Sequence, residues 1–334
     1  MLFYRRREML VFYIFFSFGT FFSPYLLHKN KIMSIAAASC LRGQGYITRH
    51  SASFIKGSMM RPQTVVIPRK EPEETGNQND KKIMKKIFLS AIAALMLQPA
   101  TGWAGDIYVS TSFHEPANEG LRFIYSRDGV HWDSIPGTFL KPEVGTQKVM
   151  RDPSIVKGPD GTFHFVWTCS WKGDRGFGYS SSKDLIHWTP ERFIEVMKDT
   201  TTVNVWAPEL FYDDVKKQYM IIWASCIPGK FPDVLEEHKN NHRLYYTTTK
   251  DFKTFSETKL LIDPGFSCID ATMVKRGKDD YVMVLKDNTR KQRNIKVAFS
   301  STPYGPWSEA SEAFTPMYCE GPSTAYVNGW WYIY

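Results

Sequence analysis

The sequence has few cysteines, and their spacings do not match a zinc site or a redox pair. Five Cys occur in 334 residues. The four that follow residue 105, Cys169, Cys226, Cys268 and Cys319, include no CxxC pair, so a zinc knuckle is not indicated. In an exported protein Cys268 and Cys319 are the pair to test for a disulfide. We expect all four to be buried free thiols instead.

The chain also lacks a basic patch in its main part. The formal net charge is +8, but residues 1–104 hold fifteen Lys and Arg against five Asp and Glu. Residues 105–334 are therefore slightly acidic. A domain without excess positive charge has no electrostatic footprint for nucleic acid, and nucleic acid is not expected as a partner.

No apolar run near the start of the main part is long enough to span a bilayer. Residues 84–104 have Lys85 and Lys86, the apolar stretch Ile87–Leu97, and a small-x-small site ending at Ala104. This order is that of a secretory signal. We predict a periplasmic or secreted protein with no stable membrane insertion of its mature form.

Residues 1–83 contain a second apolar run, Leu10–Leu27, that follows a cluster of arginines. The residues beyond this run show no sustained periodicity. Two export signals in series have no physical purpose. We therefore interpret residues 1–83 as an extension that is not part of the natural protein, with translation beginning at Met84.

Four carboxylates recur at similar intervals after residue 105. They are Asp152, Glu209, Asp270 and Glu320, and they lie in the motifs RDPSI, WAPEL, IDATM and EGPST. An aromatic-rich run follows each motif, and in the first three repeats a third strand then ends in a turn. Repeats of this kind, at about 50–60 residues, are typical of β-propeller blades. We predict an all-β fold, a five-bladed β-propeller over residues 105–334, whose carboxylates share one central pocket.

The two ends of this repeat pattern are irregular. Residues 106–113 match the second strand of later repeats, so the first blade has no innermost strand of its own. The fifth repeat stops at Tyr334, inside its second strand. We expect an incomplete fifth blade, with about 40–60 residues missing by the length of one repeat.

A turn motif recurs with the pattern S-x-D-[GL]-x-x-W. It contains Asp128 and Trp132 in one repeat, and Asp184 and Trp188 in the next. Asp side chains commonly cap turns, and Trp rings pack between sheets. We therefore predict a structural role for these residues.

Hydrolysis of a glycosidic bond needs two carboxyl groups in opposite protonation states. A third negative group beside the acid helps to raise its pKa. When the motifs are aligned on their Pro or Ala residue (Pro153, Pro208, Ala271 and Pro322), Asp152 and Asp270 are equivalent and Glu209 is two positions later, on the same strand face. Glu320 comes one residue too early, so its direction depends on a local bend at Gly321.

The ordered set of RDPSI, S-x-x-D-L-x-x-W, WAPEL, IDATM and EGPST resembles glycoside hydrolase family 43, whose members are five-bladed propellers. The resemblance covers about residues 105–334. It implies that Asp152 is the general base, Glu320 the general acid, and Asp270 the residue that tunes the acid. It also implies hydrolysis with inversion of plant-type glycans that contain arabinose, xylose or galactose. Where family members usually have Pro after the third Asp, this chain has Ala271.

Other residues near these motifs are candidates for contact with an oligosaccharide or polysaccharide substrate. They are Trp167, Trp171, Trp206 and, as a hydrogen-bond acceptor, Glu209; packing between blades is the competing role for each Trp. Arg151 and Lys286 are candidates for pairing with the carboxylates, but we expect them to be solvated charges. No metal ligand set and no cofactor is predicted.

Two alternatives remain open from the sequence. A retaining invertase-like propeller also uses an RDP motif, but it needs a nucleophilic Asp in an N-D-P-N-G type motif of the preceding blade. Residues 105–150 contain no motif of this type. The two carboxyl groups of a retaining enzyme lie about 5–5.5 Å apart, whereas inversion needs about 6.5–9.5 Å. The second alternative is a propeller that binds glycans without catalysis.

Overall fold

The computed structural model describes residues 107–231, 236 and 240–334, together with three short strands between residues 9 and 34. The predicted signal, residues 84–104, and most of residues 1–83 lie outside the described residues. Every regular element in the described part is a β-strand. A search of the same residues finds no helix with the length and apolarity needed to cross a membrane.

The strands form five sheets. The strands near the start of the chain are β1 (Met9–Tyr13), β2 (Pro24–His28) and β3 (Lys31–Ser34). The first sheet contains β4 (Tyr108–Ser112), β5 (Leu121–Ser126) and β6 (Trp132–Leu140). The second contains β7 (Arg151–Lys157), β8 (Phe163–Thr168), β9 (Gly176–Ser182) and β10 (Arg192–Glu195).

The third sheet contains β11 (Trp206–Asp213), β12 (Gln218–Ser225), β13 (Arg243–Thr249) and β14 (Lys259–Ile262). The fourth contains β15 (Cys268–Gly277), β16 (Asp280–Asp287) and β17 (Asn294–Ser300). The fifth has β18 (Thr324–Val327) and β19 (Trp330–Ile333), followed by β1, which runs parallel to β19, and then β2 and β3. The pairings within the first four sheets are antiparallel.

In the third and fourth sheets the second strand is the most buried, which explains the continuous apolar runs there in the sequence. In β12 and β16 every residue after the first is buried, because both faces of the strand are covered. A strand that is covered on both faces has no polar alternation. These runs form the cores that join the second sheet to the third and the third to the fourth.

The first strands of neighbouring sheets lie side by side. The Leu210 N–H on β11 donates to Ser154 Oγ on β7 at 3.1 Å. The first sheet meets β7 through β4, where the Thr111 hydroxyl donates to the Pro153 carbonyl at 2.6 Å. The turn after β5 has the motif of the turn after β9, so β4 corresponds to β8. Within the described residues, the first sheet therefore has no counterpart of β7, in agreement with the sequence.

The turn motif has the structural role predicted for it. Asp184 Oδ1 accepts from the N–H groups of Ile186 and His187 at 2.9 and 2.7 Å. Asp128 makes the equivalent pair of bonds, as does Asp251 in a third copy of the turn. Trp188 packs against Phe165, with ring centroids 5.4 Å apart. The prediction for Asp128 and Asp184 is confirmed.

The cysteines are also as expected. Cys169, Cys226, Cys268 and Cys319 are buried and free. Burial raises the pKa of the Cys169 and Cys268 thiols to about 12. Such thiols are not reactive at neutral pH, and they pack as small apolar residues.

Candidate active site

One backbone feature recurs at or just before the first strand of the second, third, fourth and fifth sheets. Asp152, Ala207, Asp270 and Gly321 have φ values of 48°, 46°, 51° and 64°. In three of these strands the pairing with the second strand shifts register at the same place. An extra residue in the left-handed region is a β-bulge, which bends the strand and redirects the side chain. Gly321, just before β18, has the same left-handed φ at the place where the sequence predicts a bend.

These bulges line a single cavity. Its volume is about 270 Å³, and its walls are residues 111–113, 152–153, 207–209, 270–271 and 321–323. Each of the five sheets contributes its innermost residues to these walls. The structure therefore brings Asp152, Glu209 and Asp270 to one cavity, which is open to solvent on one side. Glu320 immediately precedes the segment 321–323 but is not itself part of the lining.

Asp152 is fixed by a neighbouring hydroxyl. The Thr168 hydroxyl donates to Asp152 Oδ2 at 2.9 Å, and Thr168 Oγ1 in turn accepts from the Ala207 N–H at 2.8 Å. Burial raises the pKa of Asp152, while Arg151 and the Thr168 bond act in the opposite direction. Thr168 thus connects the bulge of β7 to the bulge of β11, a role that its sequence position at the end of an aromatic run did not reveal.

Glu209 connects the strands on either side of it. Its Oε1 accepts from the Thr272 hydroxyl on β15 at 2.8 Å. Ser154 on β7 supplies a second side-chain hydrogen bond. Burial raises the pKa of Glu209 to about 7, although both hydrogen bonds act against this rise. Near neutral pH the carboxyl is therefore about half protonated.

Asp270 also titrates near neutral pH. Burial raises its pKa to about 7; Lys286 acts against this rise, and the negative charges of Asp152 and Glu320 add to it. Its Oδ2 accepts from the Gly321 N–H at 3.2 Å. This bond ties the segment that precedes β18 to the carboxyl of β15.

Glu320 differs from the other carboxylates because it is open to solvent. Its side chain is 68% exposed, whereas the Lys286 side chain, which contacts it, is 5% exposed. Lys286 Nζ lies 2.5 Å from Glu320 Oε2. Partial burial raises the pKa of Glu320, but Lys286, Arg151 and Arg293 together outweigh burial, so the net pKa is below its usual value.

Both basic residues expected to be solvated are in fact paired with acidic groups, so that prediction was wrong. Lys286 is buried against Glu320, as described above. Arg151 Nε donates to Glu115 Oε1 at 2.9 Å, and its guanidinium lies 3.7 Å from the centre of the Trp171 ring. An Arg151 nitrogen is also 3.9 Å from Asp152 Oδ2. A side chain that stacks on an aromatic ring and binds a carboxylate is held in place rather than solvated.

The three predicted tryptophans occupy different environments. Trp171 is 44% exposed beside Arg151, so its ring is open to a ligand. Trp206 is half-buried; its Nε1 donates to the Trp171 carbonyl at 2.9 Å, and its ring stacks on His242. Trp167 is fully buried and stacks on Phe165. A ring without exposed surface cannot contact a sugar, so the role of Trp167 is packing.

Known proteins resemble this chain over the same region. The family described as "Probable glycosyl hydrolase domain", a relative of glycosyl hydrolase family 43, matches residues 106–330. An α-L-arabinofuranosidase of Bifidobacterium longum is 24% identical over 226 residues, which are 54% of this chain and 21% of that protein. The chain thus spans about a fifth of the length of this curated relative.

Two solved structures are also similar to this chain, and the first of them supports the all-β fold. The endo-arabinase of Bacteroides thetaiotaomicron superposes with a TM-score of 0.53 at 14% identity, covering 68% of this chain and 83% of the endo-arabinase. The α-L-arabinofuranosidase of Lactobacillus brevis gives 0.42 at 22% identity, covering 53% and 60%. Because the family match extends over about two thirds of the sequence and includes strands from each of the five sheets, this chain belongs to the glycoside hydrolases related to family 43.

Proposed function

We propose that this protein is an inverting glycosidase of plant-type glycans that contain arabinosyl, xylosyl or galactosyl units. The observation that carries the proposal is the cavity shared by Asp152 and Asp270, with Glu320 at its edge. The five sheets around this cavity are the blades of a five-bladed propeller. The substrate class follows from the family and from the arabinofuranosidase activity named for the Bifidobacterium relative.

In the proposed mechanism, water attacks the anomeric carbon in a single step. Asp152 takes a proton from that water, and the new carbon–oxygen bond forms as the bond to the leaving group breaks. Glu320 gives its proton to the leaving oxygen and becomes a carboxylate. Inversion results because attack and departure take place on opposite faces of the sugar.

In the free enzyme, Glu320 does not yet hold the proton that this step needs. Asp270 and Glu209, each with a pKa of about 7, are the acids in the cavity, whereas Glu320 has a lowered pKa. A substrate that covers the 68% exposed Glu320 side chain removes water from it. Desolvation raises the pKa of a carboxyl, so the bound sugar promotes protonation of Glu320.

The first test replaces the two reacting groups one at a time. Asp152→Asn and Glu320→Gln should each lower turnover by about 10²–10⁴-fold, the usual contribution of a general acid or base. Melting temperatures should change little. Glu257→Gln is a suitable control, because Glu257 is 81% exposed in a surface pair with Lys198. A variant that keeps most of its turnover would rule out the role given to that residue.

The stereochemistry needs a separate measurement. NMR spectra taken early in the hydrolysis of aryl arabinofuranosides, xylosides and galactosides identify the sugar that is accepted and the anomer that is released first. The inverted anomer is expected. Release of the retained anomer would instead favour a nucleophilic carboxylate and an invertase-like mechanism.

We also propose export of the protein, with Met84–Ala104 as the signal that is removed. The order of charged start, apolar stretch and small-residue site supports this proposal. N-terminal sequencing of the native protein tests it. A mature N-terminus upstream of Met84 would refute both the signal and the interpretation of residues 1–83.

A further inference from the structure

Lys286 is an unusual residue because its charge is buried beside the cavity. It lies on β16 opposite Ile269, the residue before Asp270, and its side chain is 5% exposed. A buried ammonium group is costly unless a carboxylate compensates it. Here the compensating group is Glu320, whose Oε2 lies 2.5 Å from Lys286 Nζ. The family resemblance assigned no role to this lysine.

The geometry holds Glu320 from two sides. The neighbouring Gly321 N–H donates to Asp270 Oδ2, which fixes the backbone of the loop. Lys286 fixes the end of the side chain. Between these two contacts, the Glu320 carboxylate lies at the cavity edge, largely open to solvent. Without the ammonium, an exposed glutamate of this length would populate several rotamers.

A general acid has to be a carboxylate after it gives its proton away. A fixed cation beside the carboxylate stabilises the negative charge that develops during proton transfer, and it does so without reorganisation. The same cation lowers the fraction of acid that is protonated beforehand. The balance favours the cation when the leaving group is poor, because such a group requires the most complete proton transfer.

We propose that Lys286 is a positioning residue for proton delivery. It holds the Glu320 carboxyl at the cavity edge and stabilises the charge that Glu320 gains when it protonates the leaving oxygen. This inference rests on the proposed function, because it takes Glu320 as the acid. The transferred proton comes from Glu320 alone.

Other charged and titratable groups face the pair from the surrounding elements. They are Asp152 and Asp270 in the cavity, Arg151 from β7, Arg293 from the segment before β17, and the Cys319 thiol. The two arginines also lower the pKa of Glu320. Both arginines remain in a Lys286 variant. We therefore expect the loss of Lys286 to raise the pKa of Glu320 without removing every positive charge that acts on it.

The test compares Lys286→Met with Lys286→Arg, which keeps the charge. The matched control is Lys296→Met. Lys296 lies on the neighbouring strand, is 15% exposed and is not among the residues that line the cavity; its Nζ is 2.8 Å from Asp287 Oδ2. Each variant is assayed on a phenyl glycoside and on a dinitrophenyl glycoside of the same sugar. The second leaving group departs without a proton, so it reports catalysis that does not use the acid.

Lys286→Met should lose about 10–100-fold in kcat/KM on the phenyl glycoside, part of the usual effect of a general acid. It should lose little on the dinitrophenyl glycoside. The basic limb of its pH profile should move to higher pH, because Glu320 becomes a weaker acid. Lys286→Arg and Lys296→Met should resemble the wild type. Equal losses on both substrates, or an unmoved basic limb, would overturn the inference.

Glu320→Gln in the same assays separates the two proposals. If this variant shows no dependence on the leaving group, Glu320 is not the acid and the proposed function fails. If the loss in Glu320→Gln depends on the leaving group and the loss in Lys286→Met does not, only the role of Lys286 fails. Should Lys286→Met not fold, Lys286→Gln takes its place in the same assays, with the same expected and overturning results, and ¹³C NMR of the wild type adds a further check. The Glu320 carboxyl, assigned by its loss in Glu320→Gln, should titrate below 4.5, and titration above that value would overturn the inference.

Discussion

Replacing Glu209 with Gln should make the protein more stable at high pH and not at low pH. Glu209 is held between Thr272 and Ser154, and Gln keeps the oxygen that accepts the Thr272 hydrogen bond. What the substitution removes is the ability to ionise. The effect on stability therefore isolates the cost of a buried negative charge.

The size of the effect follows from the pKa of Glu209. Folding raises this pKa from 4.5 to about 7, chiefly by burial. A carboxyl with a raised pKa in the folded state stabilises the fold below pH 4.5 relative to higher pH, and this advantage is lost as the pH rises through 7. The difference corresponds to about 3 kcal/mol when the group is fully ionised. Glu209→Gln should gain up to that amount at pH 8 and nothing at pH 4.

Urea unfolding of both proteins at pH 4, 6 and 8 measures this difference, provided that each transition is two-state. Glu257→Gln is again the control, because an exposed carboxyl should give a difference that hardly varies with pH. A constant difference between wild type and Glu209→Gln across the three pH values would refute the reasoning. It would mean that Glu209 ionises as easily in the fold as in the unfolded chain.

Two further substitutions test the supports of the site and of the sheets. Thr168→Val should lower stability by about 1–3 kcal/mol, because it leaves the Ala207 N–H without its acceptor. It should also lower kcat, because Asp152 loses its hydrogen bond; a change in stability alone would contradict this role. Asp184→Ala should cost about 1 kcal/mol through loss of its two turn bonds and leave kcat and KM unchanged. Thermal melting and steady-state kinetics check both variants.

The sequence predicted the features that depend on local pattern. Continuous apolar runs such as β12 and β16 were recognisable as buried strands, and the turns of Asp128 and Asp184 were recognisable from their spacing. Such features depend on residues close together in the chain. Whether such a strand or turn forms therefore depends mainly on the local sequence and little on how the sheets pack against one another.

The features that depend on packing between sheets were not predictable in this way. Lys286 and Glu320 are 34 positions apart, and their contact exists only because the loop before β18 crosses the end of β16. Trp167 and Trp171 are four positions apart, yet one is buried and the other is 44% exposed. Nothing in the local sequence distinguishes such pairs, since their surroundings come from other sheets.

The repeated left-handed residue also has a consequence for protein engineering. Ala207 occupies on β11 the place that Asp152 and Asp270 occupy on their strands, with nearly the same φ. Aspartate adopts this conformation more readily than alanine does. Ala207 is therefore a position where one substitution would add a new functional group to a backbone already shaped for it, so new chemistry could be installed without redesigning the scaffold.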